Sequence, residues 1–333
     1  MAKAPRRQTR LPDARKRPRF AIGSACTFGR YPRLEDVSEA DAPPGWVVYG
    51  VPFDGGVTYR PGARFGPRGI REESQYLKRY SIDHGVDVCD TLSIADAGDS
   101  PVAPYSCKDN AERQHQFARG LGDPKVTRLL AIGGDHTIAY ANIKATWERR
   151  GKPTGGLALV HFDSHIDTVD EVWGEKWGHA SVFRRAIEDG IVDPSRMLSI
   201  GIKGPLNSRE DLAYAERHGI RVVTYERFQI EGPKIVAAFL KRLGRRAAYI
   251  SFDIDCVDPA FAPGTGTPSV GGFSSAEVLR CVRSLRGLDV AGADVVEVLP
   301  DRDVSGITSL LAAHVAFEIL ALSAVSAADS RAK

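Results

Sequence analysis

The chain has 333 residues, 43% of them hydrophobic and 26% charged, with a net charge of +3. That balance is ordinary for a soluble globular enzyme and supplies enough apolar material for a large core. No run of about 18 uninterrupted apolar residues reads as a membrane span, and the N-terminus lacks the apolar run of a signal peptide. Cys26, Cys89, Cys107, Cys256 and Cys281 are odd in number, scattered and outside CxxC pairs. This argues against a disulfide scaffold and fits reduced thiols in a cytoplasmic protein.

Residues 1–22 read as a basic arm, with Lys3, Arg6, Arg7, Arg10, Arg15, Lys16, Arg17 and Arg19 close together; without them the body is mildly acidic. A mobile or subunit-contacting tail is the expected role. A nucleic-acid role would have only this arm behind it, and none is expected. Residues 23–333 are expected to form one catalytic domain. Candidate strands follow at Trp46–Val51, Arg128–Ile132, Leu157–Phe162, Met197–Ile202, Arg221–Thr224, Ala247–Ile254 and Val290–Val298. Helical patterns lie between them at Arg68–Tyr80, Ile138–Arg149, His179–Glu188, Arg209–His218, Pro233–Leu243 and Ser275–Leu285, with a last one at about Ser305–Ala327. Such alternation implies an α/β fold, a parallel sheet with helices on both faces.

Ligands of open α/β sheets gather at the carboxyl ends of the strands, and the polar motifs of this chain fall there. Ala131–Ile132 runs into Gly133–Gly134–Asp135–His136, Val160–His161–Phe162 into Asp163–Ser164–His165–Ile166–Asp167, and Ser251–Phe252 into Asp253–Ile254–Asp255. In extended chain, side chains two apart face the same way, so Asp163, His165 and Asp167 can converge, as can Asp253 and Asp255. Four aspartates buried together would repel one another or take up protons; two divalent cations supply the missing charge. An oxygen and nitrogen donor set suits Mn²⁺ best, with Ni²⁺, Co²⁺ or Zn²⁺ after it. His161 lies further back in its strand and reads as a support for Asp163 rather than as a ligand.

These motifs resemble the ureohydrolase family of arginase and agmatinase. The matching stretches are GGDH at 133–136, HFDSHID at 161–167, GHASVFRRA at 178–186, SFDIDCVDPAFAPGTGTPSVGG at 251–272 and DVVEVLP at 294–300. VPFDGGVTYRPGARFGPRGIR at 51–71 is similar to the signature of the agmatinase-like branch. The resemblance implies a three-layer α/β/α sandwich around a doubly wound, eight-stranded parallel sheet, assembled as a trimer or hexamer, homomeric or mixed. It also implies two metal ions per subunit, Mn²⁺ or Ni²⁺, held by His136, Asp163, His165, Asp167, Asp253 and Asp255, with Asp163 or Asp253 bridging. His179 matches the proton shuttle. Glu277 matches the carboxylate that pairs with a guanidinium, although Ser274–Glu277 is also a capping box.

The expected reaction is metal-assisted hydrolysis of a carbon–nitrogen bond in a small guanidine compound, releasing urea or a urea analogue plus an amine or ammonia. Agmatine, guanidinobutyrate, guanidine and substituted biguanides such as metformin are the candidates. Arginase or formiminoglutamase activity, or a partner-subunit role, is the alternative. The chain departs from the common DAHTD pattern at Ser164 and Ile166, and Trp173 and Trp177 precede His179, which leaves the substrate's tail open. A single-zinc deacetylase of related fold would leave His136, Asp167 and Asp255 without a role.

Overall fold

The computed structural model describes residues 26–37 and 42–331; the basic arm at 1–22 lies outside them. One sheet of eight strands runs through the described residues, in the order β4-β1-β5-β10-β9-β6-β7-β8. These are β1 Trp46–Gly50, β4 Ile94–Asp99, β5 Arg128–Ile132, β6 Leu157–Phe162, β7 Val192–Ile202, β8 Arg221–Thr224, β9 Ala247–Asp253 and β10 Asp289–Val296; β2 Tyr80–Ser81 and β3 Val86–Asp87 form a separate ribbon. Every pairing in the large sheet is parallel. Its central strands are near-continuous apolar runs because both faces are covered. Leu130 and Ile132 of β5 pack on one side, Leu129 and Ala131 on the other.

The helices are α1 Gly66–Glu73, α2 Val88–Thr91, α3 Cys107–Gly120, α4 Ile138–Arg149, α5 Val182–Glu188, α6 Glu210–His218, α7 Tyr225–Leu243, α8 Ser275–Arg283 and α9 Ile307–Arg331. Helices α1, α7, α8 and α9 cover one face of the sheet, and α3, α4, α5 and α6 the other. The result is the expected three-layer sandwich. Helix α9 is long and apolar enough to cross a membrane, but 78% of its most apolar window is buried in the protein body, as in a helix that is hydrophobic all round because it sits in a core.

Several elements differ from the reading of the sequence; α1 ends at Glu73, short of the expected Tyr80, β7 starts earlier, at Val192, and β2, β3 and α2 were not expected. Edge strand β4 escapes it because Asp96, Gly98 and Asp99 break the apolar run; buried Asp96 instead accepts from the Arg71 guanidinium at 2.9 Å and from the Phe28 amide at 2.6 Å. Helix α3 is mostly polar and starts at an N-cap, where Ser106 accepts from the Asp109 amide at 3.1 Å. Helix α7 begins at Tyr225 rather than at Pro233, capped by Thr224, and keeps Pro233 inside it. Pro233 is exposed, so water can satisfy the carbonyl that its missing N–H leaves free.

Candidate metal centre and guanidinium site

Strands β5, β10, β9 and β6 are neighbours in the sheet, and their carboxyl ends gather the site. After β5, Gly133 and Gly134 turn the chain with φ of 70° and 78°. A Cβ on Gly133 would lie 2.2 Å from Pro67 Cδ, and one on Gly134 2.5 Å from the Val51 carbonyl oxygen. Only glycine fits this turn, and it delivers Asp135 and His136 into the interior, where both are fully buried.

His136 Nδ1 lies 3.1 Å from Asp163 Oδ2, 2.9 Å from Asp167 Oδ2 and 3.3 Å from Asp253 Oδ2. His165 Nδ1 lies 3.0 Å from Asp255 Oδ2 and 3.3 Å from Asp163 Oδ1. Asp163 thus faces both imidazoles, one with each oxygen. Two candidate donor groups result, His136–His161–Asp163–Asp167 and Asp163–His165–Asp255. The six residues expected to hold metal come together, but not by strand alternation. Strand β6 ends at Phe162 and β9 at Asp253, and Asp255 sits in a 3₁₀ turn. Asp167 takes a left-handed backbone, φ 53°, a strained conformation for a non-glycine residue and one that concentrates at functional sites.

His161 Nε2 lies 2.9 Å from Asp163 Oδ2 and its Nδ1 lies 3.1 Å from Ser199 Oγ. Those two bonds occupy both of its nitrogens and orient the Asp163 carboxylate. Ser164, where alanine is more usual, donates from its hydroxyl to Asp255 Oδ1 at 2.8 Å, beside its own amide at 3.0 Å. The departure at this position therefore fixes a carboxylate of the cluster.

These residues fit a pair of divalent cations. His136 Nδ1 is buried and makes no hydrogen bond, although three carboxylate oxygens surround it. Burial and the neighbouring Asp255 and Asp163 push the Asp253 carboxyl well up. Burial also opposes ionisation of Asp163, yet the imidazoles of His136, His161 and His165 hold its carboxyl well below the usual range. A site that forces some of its carboxylates to take up protons is one that cations would relieve.

Beside this cluster stands a carboxylate to which the sequence reading gave no role. Glu297, at the end of the DVVEVLP stretch, is 1% exposed and left-handed at φ 63°. Its Oε1 accepts from the His136 amide at 2.9 Å and lies 2.8 Å from His179 Nδ1. Its Oε2 is buried without a partner. Gly266 of the GTGTP block lies over that oxygen: a Cβ there would be 3.6 Å from Oε2 and 2.9 Å from the Arg60 carbonyl oxygen. Glu277 does not join this group. Its Oε2 accepts from the amide and hydroxyl of Ser274 at 2.8 and 2.7 Å, closing the capping box of α8. The glutamate that the structure places beside the cluster is Glu297, whereas Glu277, where a guanidinium partner was expected, closes a helix cap instead. The signal was present in the sequence, as an acid at the carboxyl end of a fourth central strand.

His179 is buried at the loop leading into α5. Burial opposes its charged form, but Glu297, Asp167 and Asp135 override this and raise its pKa to about 9. The Thr58 amide nevertheless points at Nε2 from 3.1 Å, a bond only an unprotonated nitrogen accepts. Asp135 holds the opposite wall, accepting from the Gly56 amide at 2.8 Å and the Thr137 amide at 3.1 Å. Of the two tryptophans, Trp177 packs edge-on against Tyr140 at 4.9 Å. Trp173 is 86% exposed at the tip of a hairpin closed by Val172 and Glu175.

Paired carboxylate–imidazole clusters at the carboxyl edge of a parallel sheet make a candidate binuclear metal centre of the kind used by metal-dependent hydrolases. The chain belongs to the arginase family, whose model matches residues 44–322. It is 42% identical over 320 residues to guanidinopropionase of Pseudomonas aeruginosa, covering 96% of this chain and 97% of that one. It is 39% identical over 319 residues to the human mitochondrial guanidino acid hydrolase, covering 95% and 87%. The solved structure of proclavaminate amidinohydrolase from Streptomyces clavuligerus superposes with a TM-score of 0.84 at 40% identity, over 93% of this chain and 99% of that one. The protein is accordingly an amidinohydrolase of the agmatinase-like branch, acting on carbon–nitrogen bonds of guanidino compounds. It has the family's binuclear metal site, for which the cluster around Asp163 supplies candidate ligands.

Proposed function

We propose that the protein hydrolyses the guanidino group of a short guanidino acid, such as guanidinopropionate or guanidinobutyrate, to urea and the corresponding amine. The observation that carries the guanidinium part is the buried, unpartnered Oε2 of Glu297 beside the His136 cluster. A buried carboxylate oxygen without a donor is costly, and a planar guanidinium supplies paired charge-assisted hydrogen bonds to it. The acid part is supported by the names of relatives, guanidinopropionase and guanidino acid hydrolase.

In this reading His136, Asp163, His165, Asp167, Asp253 and Asp255 would hold two divalent ions. Mn²⁺ is the first choice for such an oxygen and nitrogen set and Ni²⁺ the second. When bound, the ions make water nucleophilic near neutral pH and stabilise developing negative charge. Asp167 accepts a hydrogen bond from the attacking water and orients it. Glu297 aligns the guanidinium carbon for attack, so that binding energy is spent on geometry. His179, bonded to Glu297 through Nδ1, would take a proton from solvent on Nε2, giving up the bond from the Thr58 amide, and hand that proton to the departing amine.

The test is urea release from guanidinopropionate, guanidinobutyrate, agmatine, guanidine, metformin and arginine, on protein loaded separately with Mn²⁺ and Ni²⁺. The guanidino acids should have the highest kcat/KM. Arginine or agmatine as the sole good substrate would refute the acid tail, and no urea from any of them would refute the reading as a whole.

A further inference from the structure

A chain of buried polar side chains crosses the core from α3 to His136. Gln114 Nε2 donates to Tyr49 Oη at 3.3 Å, Tyr49 Oη to Asn142 Oδ1 at 3.0 Å, Asn142 Nδ2 to Tyr249 Oη at 2.5 Å, and Tyr249 Oη to Asp294 Oδ2 at 2.5 Å. From the other end, Ser251 Oγ donates to Asp294 Oδ1 at 2.6 Å and lies 2.8 Å from His136 Nε2. Every one of these residues is buried, and Asp294 sits inside β10, whose other residues after Asp289 are apolar or glycine. Polar groups this deep cost several kcal/mol each unless satisfied, so a connected run of them calls for a reason.

The directions of the bonds supply one. An ionised carboxylate only accepts, so Asp294 takes the hydroxyl protons of both Tyr249 and Ser251. With its proton committed, Ser251 Oγ must accept from His136, which puts the imidazole proton on Nε2 and leaves the lone pair of Nδ1 facing Asp163, Asp167 and Asp253. Asn142 is pinned as well, because its Nδ2 also donates to the Ala293 carbonyl at 2.8 Å. That bond fixes which way its amide lies and hence which way Tyr249 Oη is aimed.

We propose that Tyr249 and Asn142 are positioning residues for the metal centre: through Asp294 and Ser251 they hold His136 in the one tautomer and ring orientation that offers Nδ1 to an ion. This rests on the metal-centre reading above. It goes beyond it by assigning a function to side chains that touch neither the cluster nor the substrate pocket. Outer partners of ligating histidines carry about 10–100-fold in metal affinity. Their effect here has to pass through Ser251.

The experiment is a double-mutant cycle on the whole protein with Tyr249→Phe, Ser251→Ala and the pair. Metal affinity is read by competition with a chelator, and ligand geometry by the visible spectrum of the Co²⁺-loaded protein. Tyr249→Phe alone should weaken binding of one ion about 10-fold or more and shift the Co²⁺ bands. In the Ser251→Ala background the same change should add less than about 2-fold, because the path is already cut. Equal effects in both backgrounds, or wild-type affinity and spectrum for Tyr249→Phe, would overturn the proposal. Should Tyr249→Phe not fold, Asn142→Ser completes the same cycle with the same expected outcomes. If wild-type protein binds no second ion at all, the metal-centre reading fails instead, a result the chelator titration of unmutated protein reports separately.

Discussion

Glu297 and Glu277 are both glutamates close to a family motif, and they differ in where their oxygens spend their bonds. Glu277 gives its accepting capacity to Ser274 at the start of a helix. Glu297 keeps one oxygen free in a buried pocket. The pair makes a sharp comparison. Glu297→Gln should lower kcat/KM by at least about 30-fold, since losing one partner of a buried charge pair costs roughly 2–5 kcal/mol, and should leave the metal content unchanged. Glu277→Gln should leave kcat/KM within about 2-fold and cost at most about 1 kcal/mol through the helix cap. Kinetics, metal analysis and urea denaturation of the two variants decide it; the reverse pattern would restore Glu277 to the site. At this scale the sequence was legible where a residue type at a given spacing has few competing explanations, as in Asp163-x-His165-x-Asp167. It misled where a strong local signature, the capping box, sat near the expected position. The one-dimensional pattern puts an acid just past the end of a fourth central strand, but only the fold shows Glu297 turned inward with an oxygen to spare.

Elements were readable where the apolar pattern had a single meaning. Strands β5, β6 and β8 and helix α4 fall at the expected residues because their runs are bounded by clear turns or caps. Strand β4 and helix α3 were hidden because edge and surface elements carry polar residues for which periodicity is a weak signal. Convergence of the metal-site residues was expected from strand alternation, yet turns produce it, and the tightest is Gly133–Gly134. Gly134→Ala should destabilise the protein well beyond the roughly 1–2 kcal/mol of a left-handed non-glycine residue, because its Cβ would meet the Val51 carbonyl oxygen at 2.5 Å and nothing flexible can yield. Gly151, with φ 77° and no atom within 4 Å of its added Cβ, is the control; Gly151→Ala should show the strain alone. Denaturation midpoints measure the difference. Metal affinity, which should fall only in Gly134→Ala because His136 is displaced, is the second readout. Equal losses in both variants would mean that the turn tolerates a side chain.

Across the whole molecule, the sandwich is stable for the usual reason, a thick apolar layer on each face of the sheet, while its carboxyl edge works against it. Asp163, Asp167, Asp253 and Asp255 are all buried there; burial, with repulsion from Asp255 and Asp163, raises the carboxyl pKa of Asp253, and burial with repulsion from Asp163 raises that of Asp167. Two dications would balance four such charges and act on the folded chain alone, because the unfolded chain does not hold these groups together. Any ion that binds only the native state stabilises it by mass action, about 2.7 kcal/mol for each site at 100 times its dissociation constant. For a chain of 333 residues, 1 kcal/mol moves Tm by roughly 1–2 °C. Removing the metal with a chelator should therefore lower Tm by roughly 5–10 °C for two sites, and adding Mn²⁺ back should restore it with a midpoint that tracks the ion concentration. The effect should shrink in Asp253→Asn, which removes one of the repelling charges as well as a ligand. A thermal scan that is indifferent to chelation would mean that the carboxyl edge is neutralised by protons instead of metal.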